Sequence, residues 1–433
     1  MAVLLFVTFY GIGCLNPLPS ILGREPEQGS RGRSGLGLSV PHITAIQATG
    51  STLGPTIALL LVPRLGRWPR PRLRVALSGL ATGVTLAGFA GLMRWVTPGL
   101  GPTATSSLIA VAMTIFTTAQ SILLAEVTGF AIAHLRGDQV GFFSLRAWGS
   151  GAFAVSGPIN SSFVLLLEGR PSPASLLPLA IGAGSFAAIC LLAATLPPSG
   201  KSIGPQCDGN PAGFDLPVLD RRATYFLLAL IGAIALCATP YGLANNYIGR
   251  LPGIDQPDLV QTPLAISGEI LLLSFGMRWL VRTVALGRLL LVAPGAWMFL
   301  YLAFFASSAL GTTWPALIGL LGQAGNLSFG ILAMLLLDQA HRADASARGS
   351  TPAATVMALQ GAGGLIGAIM TSLAGPRDQA ELTNWMPLWS AGAVASLAGL
   401  FLAMLVQAPA QAVPHLTRTQ PRLEGAPTNA HRN

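Results

Sequence analysis

The chain has 433 residues, of which 52% are hydrophobic and only 9% charged, with a formal net charge of +9 at pH 7. A soluble globular domain carries about 25% charged residues, so this composition excludes one. Apolar runs of roughly 20 residues, enough to cross about 30 Å of hydrocarbon, recur along the chain. The alternating strands of about 10 residues that build a membrane barrel are absent, and the chain reads as an all-α polytopic membrane protein.

The first apolar run begins at once, with no basic leader region, so residues 1–22 are expected to form the first span and Gly11-Ile12-Gly13-Cys14 is read as part of it. Eleven further spans are expected at 43–62, 75–96, 104–127, 140–166, 174–196, 223–247, 261–280, 286–306, 314–337, 352–374 and 386–406. Pro197 to Arg222 is the longest hydrophilic interruption, carrying Lys201, Asp208, Asp215 and Asp220. The expected organisation is an N-terminal six-helix half (1–197), a linker (198–222), a C-terminal six-helix half (223–406) and a polar, Pro- and Arg-containing tail (407–433) expected to be disordered. Ala58-Leu-Leu-Leu-Val-Pro-Arg-Leu-Gly66 matches Ile270-Leu-Leu-Leu-Ser-Phe-Gly-Met-Arg278, and Gly149-Ser-Gly-Ala-Phe153 matches Gly361-Ala-Gly-Gly-Leu365, both at one offset. A duplicated six-plus-six chain places a substrate site near the midplane, where the halves meet.

The positive charge is distributed as a membrane protein requires. Most of the 25 Lys and Arg, among them Arg64, Arg67, Arg70, Arg72 and Arg74, fall on one face if the N-terminus is cytoplasmic. The positive-inside rule then gives an inner-membrane protein with both termini cytoplasmic, and no nucleic-acid partner is needed to explain the charge. The four Cys are scattered without metal spacing, so neither a disulfide nor a metal site is expected. No P-loop, zinc motif or dinucleotide fingerprint occurs, so no cofactor, enzyme activity or ATP-driven pumping is expected.

Polar groups inside the spans are therefore the functional candidates. Arg146 opens the glycine-rich fifth span, and an Arg in hydrocarbon costs about 2.5–3.5 kcal/mol on insertion scales unless it has a partner or a wet cavity. Two acids fall within spans, Glu126 in the fourth and Glu269 in the eighth, and either is a candidate counter-charge. A carboxylate in low dielectric favours its neutral form, which makes Glu269 the first candidate proton carrier and Glu126 the second. Span 7 ends with Tyr241, Asn245 and Asn246, and span 10 carries Gln323, Asn326 and Phe329. Amides and aromatic rings together suit a flat polar ligand; interhelical hydrogen bonds, at about 1 kcal/mol each, are the plainer use for them. The glycines of spans 5 and 11 are expected to permit close helix approach.

Four places carry a resemblance to the nucleoside–proton symporter group of the major facilitator superfamily. These are Arg146-Ala-Trp-Gly-Ser150 in span 5, Ala244-Asn-Asn-Tyr-Ile248 at the end of span 7, Ile266-Ser-Gly-Glu269 in span 8 and Gly295-Ala-Trp297 in span 9. The resemblance covers nearly the whole chain and implies proton-coupled uptake of a nucleoside or similar polar-aromatic solute by a protein that is commonly monomeric. It implies a substrate-contacting face of Arg146, Ser150 and Phe153, which at i, i+4 and i+7 share one side of a helix. It also implies substrate contacts for Glu269, Asn245 and a polar position near Asn326. Ile266 stands where the group has Gln, and the loop after span 2, Gly66-Arg-Trp-Pro-Arg70, lacks the group's Asp. That loop also resembles phenylpropionate-type permeases of the same superfamily, so an aromatic carboxylate facing Arg146 is the alternative cargo, with a sugar or drug after it. A non-transporting receptor on the same scaffold is the reading from a different class.

Overall fold

A computed structural model of the chain describes residues 1–23, 36–66, 68, 70–95, 100–135, 139–169, 175–196, 221–254, 257–276, 286–323, 351–376 and 381–411. Among these residues every regular element is helical, and ten helices are long and apolar enough to cross a membrane. They are Ala2–Gly23, Val40–Leu65, Pro71–Trp95, Pro102–Ala131, Ser144–Glu168, Leu177–Thr195, Arg222–Ile248, Arg288–Leu310, Pro352–Ala374 and Leu382–Leu405, here spans 1–7, 9, 11 and 12. Span 8 begins as Gln261–Leu271 and continues through a π-helical turn, Leu272–Gly276; span 10 begins as Trp314–Gly322. The remainder of both expected spans, most of the expected linker and most of the tail lie outside the described residues.

Apolar composition makes the helices, and their contacts make the fold. Spans 1–5, 1–6, 2–4, 3–4 and 3–6 pack together, and the same five pairings recur six spans later as 7–11, 7–12, 8–10, 9–10 and 9–12. Two cores result. One is confined to residues 4–196, around Phe89, Phe116 and Phe186. The other is built around Trp297, Tyr301, Trp385 and Trp389, with Val40, Ala131 and Ala147 reaching it from the first half. Between the halves, span 2 packs on span 11 and span 5 on span 8, a pairing that maps onto itself when the halves are exchanged. At the first of these seams the backbones come close: a Cβ at Gly361 would overlap the carbonyl of Ser51 in span 2, and on the neighbouring contact within the second half one at Gly363 would overlap that of Gly232 in span 7.

Spans 1 and 7, equivalent in the two halves, are both interrupted. Span 1 passes from a helix ending at Gly13 through a turn at Cys14–Pro17 into a short helix, Leu18–Gly23. Span 7 passes from Arg221–Ala238 through a 3-10 stretch, Thr239–Leu243, into Ala244–Ile248. A proline stands at each break, Pro17 and Pro240, and its missing N–H loosens the helical ladder there. Interrupted helices at a midplane cavity free backbone polar groups and make room for a ligand.

Candidate functional site

Both breaks border a cavity of about 520 Å³ between the halves. This lies within the range of small-molecule sites, roughly 300–1,000 Å³. From the first half it is lined by Phe9, Asn16, Gln47, Arg146, Ser150 and Phe153; from the second by Tyr241, Asn245, Gln261, Glu269, Trp297 and Gln323, among others. Arg146, Ser150 and Phe153 reach it together, as their helical spacing requires. Tyr241, Asn245, Glu269 and Gln323, expected from sequence, line it as well. Asn326 and Phe329 lie outside the described residues.

Arg146 and Glu269 meet across the cavity, one from each half. The Ser150 hydroxyl donates to the carbonyl of Arg146 at 3.3 Å, and the guanidinium charge acts on the Glu269 carboxylate. They do not form a direct ion pair: among the described residues the one pair within 4.0 Å is Arg74–Glu126. Instead the guanidinium lies over the Phe9 ring, 3.8 Å from its centroid, a cation–π contact that offsets part of the desolvation cost. Gly149 keeps this stack open, because a Cβ there would stand 2.6 Å from the Phe9 ring and 2.9 Å from the guanidinium. The Arg-x-x-Gly spacing in span 5 therefore has a local cause.

Glu126 is not the counter-charge of Arg146. It is 2% exposed and accepts a 2.9 Å hydrogen bond from Arg74 Nε, while Arg74 Nη1 donates to the carbonyls of Gly66 at 3.1 Å and Trp68 at 2.8 Å. Arg74 stands in the first turn of span 3 and reaches inward to the Glu126 carboxylate in span 4.

Cross-half contacts flank the cavity. Toward the end distant from Met1, Asn16 Nδ2 donates to Thr262 Oγ1 at 3.1 Å, Asn245 Nδ2 to Ser20 Oγ at 3.5 Å, and Ser20 Oγ to Asn246 Oδ1 at 3.4 Å. Toward the other end, Val62 and Ala125 meet Ala353 and Ala354 in an apolar cluster. One seam is polar and joins spans 1, 7 and 8; the other, the dry seam, joins spans 2, 4 and 11 through that apolar cluster, with a single hydrogen bond further along it from Thr52 Oγ1 to the carbonyl of Gly361 at 2.8 Å. No group of three or more His, Cys, Asp or Glu side chains forms among the described residues. The sequence reading passed over Phe9, Gln261 and Trp297 as site residues. Trp297 had a signal, its place in the span-9 motif; Phe9 is one aromatic in an apolar run and had none.

No protein-family model and no curated protein matches the chain. Solved structures do. The chain is similar to the nucleoside transporter NupG, with a TM-score of 0.61 and 20% identity over 94% of this chain and 98% of that one. A variant of NupG gives a TM-score of 0.66 at 16% identity over the same shares. The E. coli fucose:proton symporter FucP gives 0.55 at 14% identity, again over 94% and 98%. At these identities the likeness defines the fold: twelve helices in two six-helix halves, the major facilitator fold, resembling NupG in particular.

Proposed function

We propose that the protein is a secondary transporter that carries a nucleoside or a similar small polar-aromatic solute by alternating access, coupled to protons through Glu269. The observation that carries the reading is that Arg146 and Glu269, from opposite halves, face one cavity. A charge on Glu269 attracts Arg146 across the interface, and a proton removes that attraction. Proton binding thus biases the equilibrium between arrangements of the halves, and rigid-body rocking about the fixed site moves the cargo. In this reading the polar seam and the dry seam separate in turn. Phe9, Phe153 and Tyr241 offer ring faces, while Ser150, Asn245 and the amides of Gln47 and Gln261 offer hydrogen bonds. The amides replace the one whose family position is occupied here by Ile266. The transporter is read as a monomer in the inner membrane with its termini in the cytoplasm.

The alternative cargo, an aromatic carboxylate, has one observation in its favour: Arg146 Nη1 is buried without a hydrogen-bond partner. Against it, Glu269 places a second carboxylate in the same cavity, and like charges disfavour one another there. A thermal-stability screen of the purified protein separates the two. Stabilisation by uridine or adenosine and not by phenylpropionate is the expected result; the reverse pattern overturns the nucleoside reading.

A further inference from the structure

We infer that Trp297 and Gln323 form a second recognition pole, distinct from Arg146 and Glu269, that reads a hydrogen-bonding edge of the cargo's ring; this rests on the transport reading above. Both side chains line the cavity, Trp297 is 2% exposed and Gln323 3%, yet Trp297 Nε1 and Gln323 Oε1 are buried with no hydrogen-bond partner. Buried polar groups are paired in the great majority of cases, and an exception asks for a cause. Here the cause is that the partner is the cargo. An indole N–H can only donate, so what Trp297 lacks is an acceptor, whichever way the Gln323 amide is turned.

The indole is also held in place. Tyr241 meets it edge-on at 5.5 Å between ring centroids, and Tyr301 stacks on it at 5.7 Å with the planes 16° apart. The Tyr301 hydroxyl is fixed in turn by donating to the carbonyl of Cys237. The ring is therefore held against turning to find another acceptor, and a donor held in place costs the cargo little reorganisation. Trp389 Nε1 is likewise without a partner, but it is enclosed by the aromatic stack and does not line this cavity. The class of cargo is thereby narrowed to rings that carry an acceptor, a ring nitrogen or carbonyl oxygen, on the edge that faces spans 9 and 10. A purely hydrocarbon ring leaves the N–H unmet.

The test removes the N–H from the protein and the acceptor from the ligand in a cycle. Binding of adenosine and of its 1-, 3- and 7-deaza analogues, each lacking one ring nitrogen, is measured on wild type and on Trp297→Phe. In parallel, nicotinamide and benzamide, which differ by one ring nitrogen, are compared on the same two proteins. One analogue is expected to bind wild type about tenfold more weakly than its parent, the size of a lost neutral hydrogen bond, and Trp297→Phe is expected to abolish that difference. Gln323→Leu should weaken adenosine binding with the Trp297-dependent gap retained. A gap in the nicotinamide pair with no binding by any nucleoside supports the pole and overturns the nucleoside reading. Nucleoside binding with no Trp297-dependent gap overturns the pole and leaves the nucleoside reading standing, and no Trp297-dependent gap in either series overturns the pole.

Discussion

Replacing Glu269 by Gln keeps the shape of the side chain and removes its ability to carry a titrating charge. Two consequences follow from the geometry. Arg146 loses its facing charge: at 4.0 Å, the limit of a direct pair, two unit charges at an effective dielectric of about 20 interact by about 4 kcal/mol. Arg146 and Glu269 lie beyond that limit, so the loss is smaller, and the Phe9 contact remains to hold the guanidinium. The variant should fold, with a lowered melting temperature. The functional loss is larger. A driving force of about 100 mV supplies about 2.3 kcal/mol per charge, enough for roughly fiftyfold accumulation at one proton per cargo, since each 1.4 kcal/mol is tenfold. In proteoliposomes with an imposed proton gradient, wild type should approach that ratio and Glu269→Gln should stay near unity while still exchanging labelled for unlabelled cargo. Gradient-driven accumulation by the variant equal to wild type would refute the reasoning.

Three other substitutions separate anchoring from transport. Glu126→Gln removes one partner of a buried pair, a loss of about 3–5 kcal/mol in general; Arg74 is 17% exposed, which puts the expected loss at the lower end, read as a fall in melting temperature with cargo affinity unchanged. Gly149→Ala places a methyl against Phe9 and Arg146, should cost about 1–3 kcal/mol by overpacking, and should weaken cargo binding because it displaces the guanidinium; equal affinity in isothermal titration would contradict the stack. Asn16→Ala removes one hydrogen bond of the polar seam, worth about 1 kcal/mol. It should make a cysteine introduced at Gln47 more reactive to an impermeant thiol reagent added from the side where that seam lies.

The legible part of this protein is what periodicity and charge cost encode. Apolar runs marked the spans, although the helices overrun them: the run at 43–62 is a helix from Val40 to Leu65, and the run at 104–127 extends to Leu135. Helices continue past the hydrocarbon edge, where hydropathy no longer reports them. The cost of charge in lipid singled out Arg146, and helical geometry carried Ser150 and Phe153 to the same cavity. The choice between Glu269 and Glu126 was not legible, because it depends on which acid Arg74 claims, and that is settled by how span 3 lies against span 4. Phe9 under Arg146 joins positions far apart in the chain, and no local pattern encodes such a contact. Trp297 is a bulky aromatic in an apolar run, and only packing reveals that it borders the cavity while its N–H is buried without a partner.

The claim at the centre of this account is that a cargo molecule and a proton cross together at the Arg146–Glu269 cavity. It is tested most directly by recording internal pH in proteoliposomes of the wild-type protein when uridine or adenosine is added outside with no imposed gradient. Acidification of the interior in step with nucleoside entry is the predicted result. Nucleoside entry with no movement of protons would contradict the coupling, and absence of entry for every nucleoside tried would contradict the cargo.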